Sequence, residues 1–373
     1  MRRQFIPLII LTGLLAWNLS LEYRLTKPFQ PPAGLHVAER DTLDNAFSRG
    51  YGFFMRPYCN FWSDSHVHAA FDELPQQERN NEFRLLADCM SELAIVNSAV
   101  YCKTEEDLAF VDSLGTFAPV WYVWYNNPDV EKLLYYHKKY NLKAVKLHNS
   151  HLFWAEAAGD SIEFPLGSGS RKKVSIQWII SPEWMRFYKA CEQLGLPITW
   201  HTNNRYGPSP YNFGGDNNRL WTRVSYDNHY VFGLIENILE ACPRLKIMLC
   251  HQAFMGYNKL AEKLEKHPNL FTDTSAGFLL HDGDYITDAE RRLIRPFFIR
   301  FADRILFGSD ANAFWEQPAE ITESAIRRHI YDHVHPFKRF IQQLYLPQDV
   351  LSKVAHANFE QFYSMPPAED WFY

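Results

Sequence analysis

Short apolar runs alternate with amphipathic segments along most of this 373-residue chain. We predict eight strands from these runs, because each is an apolar stretch of strand length between turn or helix signals. They are FWSDSHVH (61–68), ELAIVNSAV (92–100), FAPVWYVWY (117–125), LKAVKLH (142–148), LPITWHT (196–202), RLKIMLCH (244–251), NLFTDTS (269–275) and RILFGSD (304–310). Eight strands separated by helices imply a parallel sheet, which closes most simply as a (β/α)8 TIM barrel.

The segments between the runs have helical spacing and helix end signals. PEWMRFYKACEQLG follows Ser181, an N-cap residue, starts with a proline and ends on Gly195, a C-cap signal. Two connections, 149–180 and 203–228, are unusually long. We expect both to lack regular structure and to border the functional site, because they follow the carboxyl ends of strands.

Composition divides the chain into four parts. Residues 1–24 contain two arginines and then an apolar run, the layout of a secretory signal peptide or an uncleaved signal anchor. No A-x-A cleavage motif follows, so we favour an anchor, with the catalytic domain exported or held outside the cytoplasm. The other parts are an extended lead-in segment, the barrel domain and a C-terminal tail, at 25–60, 61–365 and 366–373.

Charge gives no indication of a nucleic-acid partner. The formal net charge is −5, and the lysines and arginines are scattered along the chain. A hydrophobic content of 47% and an aromatic content of 16% supply a large core and an aromatic-lined pocket. We therefore expect a small-molecule substrate, contact with a membrane only through residues 1–24, and leave a homo-oligomer open.

Polar side chains with metal-binding chemistry stand where five of the eight runs end. Asp64, His66 and His68 alternate in the first run, and alternate residues of a strand share one face. Because the strands of a barrel end at one mouth, we expect these side chains to meet there: His66, His68, Lys146, His148, His201, His251 and Asp310. Neutral imidazoles side by side commonly hold a divalent transition metal, so a metal site is predicted.

The ordered motifs resemble a known family. DSHVH, KAVKLH, GLPITWHT, PRLKIMLCHQA, HPNLFTDTS and RILFGSDAN follow the landmarks of the amidohydrolase superfamily. They are most similar to its amidohydrolase-related branch, which includes the aminocarboxymuconate-semialdehyde and resorcylate decarboxylases. The resemblance runs from Ser63 to the closing segment 351–363, which is most of the chain outside its N-terminal part.

The resemblance implies one divalent metal ion, usually Zn²⁺, with Mn²⁺ as the other candidate. Its ligands would be His66, His68, His201 and Asp310, a set that leaves a coordination position for water. Asp310 would also accept a proton from that water. His251 would act as a general acid/base or polarise the substrate carbonyl, a role that suits an imidazole.

Other candidate residues have alternative interpretations. A lysine such as Lys146 is carboxylated and bridges two metals in binuclear relatives, but a free ammonium could anchor a substrate carboxylate, and a lysine at a strand end can also extend to solvent. We expect one metal. His148, Arg205 and Tyr206 are candidates for substrate binding; His148 is equally consistent with a core histidine, and Arg205 with a solvated loop.

These expectations lead to three candidate functions. The first is a metal-dependent hydrolase in which metal-bound hydroxide attacks an ester, lactone or amide. The second is a non-oxidative decarboxylase of an aromatic or unsaturated carboxylic acid that uses the same site. The third, from another class, is a membrane-tethered metal-binding protein without turnover. The turns HQAFMG and ANAFWEQ depart from the family pattern and leave the substrate open.

Overall fold

The computed structural model describes residues 59, 61–68, 75–125, 128–148, 152, 155–156, 158–163, 168–201, 228–254, 257–275, 288–311 and 322–367. The predicted signal or anchor (1–24), nearly all of the lead-in (25–60) and residues 368–373 of the tail lie outside this set. Arg205 and Tyr206 lie outside it as well. Across the described part of the chain, no helix combines the length and the apolar character that crossing a membrane requires.

Eight parallel strands form one sheet that follows the order of the chain. They are β1 (Trp62–His68), β2 (Ile95–Cys102), β3 (Phe117–Val123), β4 (Ala144–His148), β7 (Ile198–His201), β8 (Ile247–Leu249), β9 (Leu270–Asp273) and β10 (Ile305–Leu306). Strands β5 (Ser161–Glu163) and β6 (Arg171–Lys173) pair with each other in a separate sheet. The first and last strands are joined by hydrogen bonds from Ser65 N to Phe307 O and from His68 N to Ala311 O, each 2.8 Å long. These bonds close the sheet, which confirms the predicted (β/α)8 barrel.

Helices follow most of the strands. They are α1 (Gln76–Glu92), α2 (Glu105–Leu114), α3 (Val130–Lys139), α4 (Pro182–Leu194), α5 (Asn228–Ala241), α6 (Tyr257–Lys266), α7 (Asp288–Arg300), α8 (Glu323–Gln343), α9 (Gln348–Ser352) and α10 (Asn358–Tyr363). The predicted start and end of α4 are confirmed: Ser181 Oγ accepts from Trp184 N, and Gly195 has the left-handed φ of 69° of a C-cap.

One predicted connection and several strand boundaries differ from expectation. The prediction that 149–180 lacks regular structure was wrong, because it contains a hairpin of β5 (Ser161–Glu163) and β6 (Arg171–Lys173) and a 3₁₀ helix (Ile176–Ile180). The second strand begins later than predicted, since α1 extends to Glu92 and Ala94 turns the chain at φ 56°. The last strand is shorter than predicted. The connection 203–228 lies outside the described residues.

Side chains of the C-terminal helix α10 fill one end of the barrel interior. Ala99, Val120, Met248 and other inward residues form one buried cluster with aromatic side chains of α10, namely Phe359, Phe362 and Tyr363. Lys143 and Lys246, which precede β4 and β8, donate to carbonyls of Ser364 and Gln361. Helix α10 therefore covers the end where strands begin and leaves the opposite end for a site.

Gly308, just after β10, packs against residues of β1 and β9. A Cβ atom built at this position would be 3.0 Å from Oγ of Ser65 and 3.1 Å from the Cβ atoms of His66 and Asp273. Separations this short are tighter than ordinary van der Waals contact, so a side chain at this position would require neighbouring atoms to move.

We predict that Gly308→Ala lowers the free energy of unfolding by about 1–3 kcal/mol, because the added methyl group overpacks a buried contact. Denaturant unfolding followed by circular dichroism measures the change. Gly233→Ala is the matched control, since Gly233 lies in α5 with nothing within 4 Å of the added atom. The control should retain or slightly increase stability. Equal stability for both variants would contradict the close approach at Gly308.

Candidate metal centre

Three predicted ligands from the first and last strands converge at the barrel mouth. Oδ1 of Asp310 lies 3.0 Å from Nε2 of His66 and 3.1 Å from Nε2 of His68. The two imidazole nitrogens are themselves 3.2 Å apart. Ligand atoms on a tetrahedral zinc with bonds of about 2.0–2.1 Å are separated by about 3.3 Å. The triangle therefore has nearly the dimensions of one face of a zinc coordination sphere.

A buried aspartate holds the two strand ends together. Oδ1 of Asp64 accepts from the backbone N of His66 and from the backbone N of Ser309, each at 3.0 Å. Its Oδ2 accepts from the hydroxyl of Ser309. Asp64 thus contacts the backbone of one candidate ligand and of the residue before Asp310, which fixes the spacing between the strands. Burial raises the pKa of this carboxyl to about 6.

Asp273, which sequence reasoning missed, orients His66. Its Oδ2 accepts a 2.7 Å hydrogen bond from Nδ1 of His66, and both side chains are fully buried. The bond fixes the hydrogen on Nδ1 and turns the lone pair of Nε2 towards the triangle, as metal-binding histidines generally require. The signal was present in the predicted seventh strand, because a carboxylate inside a buried run is costly unless it has partners.

His251 and Asp310 both lie on left-handed backbone just beyond strand ends, with φ 59° in each case. Such conformations are uncommon outside glycine and asparagine. The turn at His251 is held by its backbone N, which donates to Oδ1 of Asp273 at 2.8 Å, and by the amide of Gln252, which donates to the carbonyls of Asp273 and Ser275. His251 is predicted at the end of a strand; that strand ends at Leu249, and this turn carries the side chain onward.

His201 lies beside His251. Nδ1 of His201 is 2.9 Å from Nε2 of His251, and the two rings meet edge to face. Of the described residues, the group whose ligand atoms all lie within 4.8 Å of one another contains His66, His68 and Asp310, without His201. Three of the four predicted ligands are therefore brought together, and His201 as the fourth stays a prediction.

Lys146 is fully buried within the barrel. Its Nζ lies 3.3 Å from Nε2 of His66, donates to Sγ of Cys250 at 3.1 Å, and is 4.2 Å from the ring centre of Tyr101. The alternative in which this lysine extends to solvent is wrong, because its side chain has no exposed surface. His66, Cys250 and Asp273 form a second group able to hold a metal.

His148, a candidate for substrate binding, is half-buried and stacks on His201. The ring centres are 3.8 Å apart and the planes are inclined by 13°. It thus belongs to the edge of the site rather than to a separate part of the core. Whether it contacts substrate stays a prediction, as does the role of Arg205 and Tyr206.

Around the anionic Asp310, the site keeps His68 and His251 neutral but favours a charge on His66. Burial lowers the pKa of His68 to about 4 and that of His251 to about 3, so both are neutral at pH 7. Burial alone would raise the pKa of Asp310, but the facing His66 and His251 hold it well below its usual range. Burial and Lys146 oppose a charge on His66, yet Cys250, Asp310 and Asp273 raise its pKa well above the ordinary value. The carboxylates of Asp310 and Asp273 thus favour a positive charge on His66.

Solved structures with a similar fold include a probable 2-pyrone-4,6-dicarboxylic acid hydrolase from Acinetobacter baumannii with bound citric acid. It is 13% identical, with a TM-score of 0.44, over 82% of this chain and 100% of that one. A dihydroxybenzoic acid decarboxylase from Polaromonas sp. with manganese and 2-nitroresorcinol is 13% identical, with a TM-score of 0.48, over 84% and 100%. A dihydroorotase from Campylobacter jejuni is 16% identical, with a TM-score of 0.48, over 83% and 85%.

No curated protein sequence matches this chain significantly. The family model described as amidohydrolase matches residues 132–364, which is more than half of the chain. This match includes Lys146, His201, His251 and Asp310, while the first strand lies before it. The protein therefore belongs to the amidohydrolase family of metal-dependent enzymes, as its strand-end motifs predicted.

Proposed function

We propose that the protein is a metal-dependent hydrolase that cleaves an ester, lactone or amide bond in a small molecule. The observation that carries this proposal is the triangle of His66 Nε2, His68 Nε2 and Asp310 Oδ1, with sides of 3.0–3.2 Å. Two imidazole nitrogens and one carboxylate oxygen are the donors that a catalytic zinc takes, with positions left for water and substrate. We expect one metal ion, Zn²⁺ or else Mn²⁺, with His201 as a further ligand.

The chain's own residues divide the work of hydrolysis. A divalent metal in such a site lowers the pKa of a bound water and polarises a carbonyl oxygen. Asp310, kept anionic by the histidines that face it, accepts a proton at its carboxylate. His251 is neutral and exchanges a proton with the substrate through Nε2, once that nitrogen replaces its contact with His201 by one to the substrate. Asp273 keeps His66 oriented throughout.

Lys146 supports the decarboxylase as a second candidate. Its amine is buried 3.3 Å from Nε2 of His66, so it could bind the carboxylate of an acid substrate beside the metal site. The carboxylate of an anionic lactone would bind the Lys146 amine in the same way. The contact is therefore equally consistent with hydrolysis, which is the function we propose first. The arginines and apolar run of residues 1–24 support an exported or membrane-anchored enzyme. Such a location favours hydrolysis, because known decarboxylases of this branch are mostly cytoplasmic.

The reaction class is tested by a substrate panel. Purified protein loaded with zinc is incubated with lactones, esters and amides on one side and with hydroxybenzoates on the other, while released acid and carbon dioxide are measured. Hydrolysis without carbon dioxide is the expected result. Release of carbon dioxide from a hydroxybenzoate would favour the decarboxylase, and bound zinc without any turnover would favour the binding protein.

His251 and His66 should separate catalysis from metal binding. We predict that His251→Asn keeps its zinc while turnover falls by roughly 10²–10⁴-fold, because only the acid/base group is lost. His66→Ala should lose zinc and activity together. Elemental analysis and turnover on the active substrate measure both effects in folded protein. Loss of zinc in His251→Asn would instead identify His251 as a ligand.

Substitution of Lys146 tests whether the site holds one or two metal ions. We predict that Lys146→Met keeps one zinc per chain and loses affinity mainly for anionic substrates, because an uncarboxylated lysine repels a second cation at bridging distance. Lys143→Met, at the opposite end of the barrel, is the control and should change neither property. A metal count that falls from about two to one, or activity that rises with added bicarbonate, would show that Lys146 is a carboxylated bridge.

A further inference from the structure

Ser275 lies between three functional side chains just beyond β9. Its Oγ is 2.7 Å from Oδ1 of Asp273, 3.1 Å from Nδ1 of His251 and 3.0 Å from Nδ1 of His66. The serine and both histidines are fully buried. Its single hydroxyl hydrogen can be given to only one of these partners, so the direction of the other contacts follows from where that hydrogen goes.

The carboxylate of Asp273 determines this direction. Its Oδ1 accepts from two backbone amides, those of His251 at 2.8 Å and of Ser275 at 3.3 Å. A backbone N–H can only donate, so Oδ1 is an acceptor in this arrangement. The Ser275 hydroxyl, at 2.7 Å from the same oxygen, must therefore donate to it. Two acceptors facing each other at that distance would repel.

Ser275 is then left with lone pairs for the histidines. Nδ1 of His251 must carry a hydrogen in order to bond to Ser275 Oγ, and Nε2 of a neutral His251 is then the nitrogen without one. Nδ1 of His66 already donates to Oδ2 of Asp273, so its contact with Ser275 has the same direction. One carboxylate thus sets the hydrogen positions on both rings.

We propose that Ser275 is a positioning residue that fixes the hydrogen of His251 on Nδ1 and so makes Nε2 the nitrogen that exchanges protons with the substrate. The inference rests on the proposed function for the role of His251, but the hydrogen position itself does not. The arrangement is a carboxylate, a hydroxyl and an imidazole in series, in which the carboxylate acts on the histidine through the serine. The same principle holds an imidazole in its productive tautomer in hydrolytic triads.

Histidine tautomers can be observed directly in the zinc-loaded full chain. Long-range ¹H–¹⁵N correlation spectra of ¹⁵N-histidine-labelled protein distinguish Nδ1–H from Nε2–H rings, and the signals absent from the spectrum of zinc-loaded His251→Asn protein are those of His251. The wild-type protein should show His251 with its hydrogen on Nδ1. Ser275→Ala should show loss of this single form, and Ser275→Thr, which keeps the hydroxyl, should restore it.

Activity provides a second readout. Turnover should fall by roughly 10–100-fold in Ser275→Ala and recover in Ser275→Thr, in line with the cost of removing groups that orient the residues of metal sites. Ser98→Ala is the control, because Ser98 is an equally buried serine on β2 whose hydroxyl makes no hydrogen bond to any described residue. It should show the wild-type tautomer and turnover.

An Nε2–H signal for His251 in the wild-type protein would overturn the proposal, and so would an unchanged Nδ1–H signal in folded Ser275→Ala. The wild-type spectrum is decisive even where a variant fails to fold. A wild-type Nδ1–H ring in a protein without turnover would contradict the proposed function alone. An Nε2–H ring in an active enzyme would contradict the role of Ser275 alone.

Discussion

The contact between the first and last strands is the constraint on which the metal site depends. His66 and His68 come from β1, whereas Asp310 follows β10, so their ligand atoms meet only if the barrel closes in this register. Two backbone hydrogen bonds join the strands. Asp64 also accepts hydrogen bonds from the backbone of His66, on the side of the first strand, and from Ser309, on the side of the last. Gly308 allows the close approach because it has no side chain. Fold and site are therefore specified by the same few contacts.

The charges where the first and last strands meet favour the binding of a cation. Asp310 and Asp273 flank His66 on its two nitrogens, at 3.0 Å and 2.7 Å. Two buried carboxylates around one imidazole favour a cation, and Lys146, whose Nζ lies 3.3 Å from Nε2 of His66, supplies only one positive charge. Burial keeps His68 neutral, so one of its two ring nitrogens is free of a proton. A divalent ion at the triangle would balance both carboxylates without requiring protonated histidines.

The sequence predicted the barrel and most of the candidate ligands because both depend on local periodicity. Apolar runs of strand length fix the eight strands, and a residue such as His66 or Asp310 stands out where a run ends. It could not predict Asp273 or Ser275 as partners of His66, because their role depends on distances between strands far apart in the chain. The hairpin in 149–180 was missed for a similar reason: Ser161–Glu163 and Arg171–Lys173 have no apolar pattern, and their pairing with each other is what makes them strands.

The identity of the metal-binding atoms is the central claim, and it is most directly tested by X-ray absorption at the zinc edge of the zinc-loaded protein. His66 belongs both to the group with His68 and Asp310 and to the group with Cys250 and Asp273, and only the second contains sulfur. Our account predicts nitrogen and oxygen neighbours at about 2.0–2.2 Å, with the outer-shell scattering of at least two imidazoles. A sulfur neighbour at about 2.3 Å would contradict it. So would a second metal at about 3.5–4 Å.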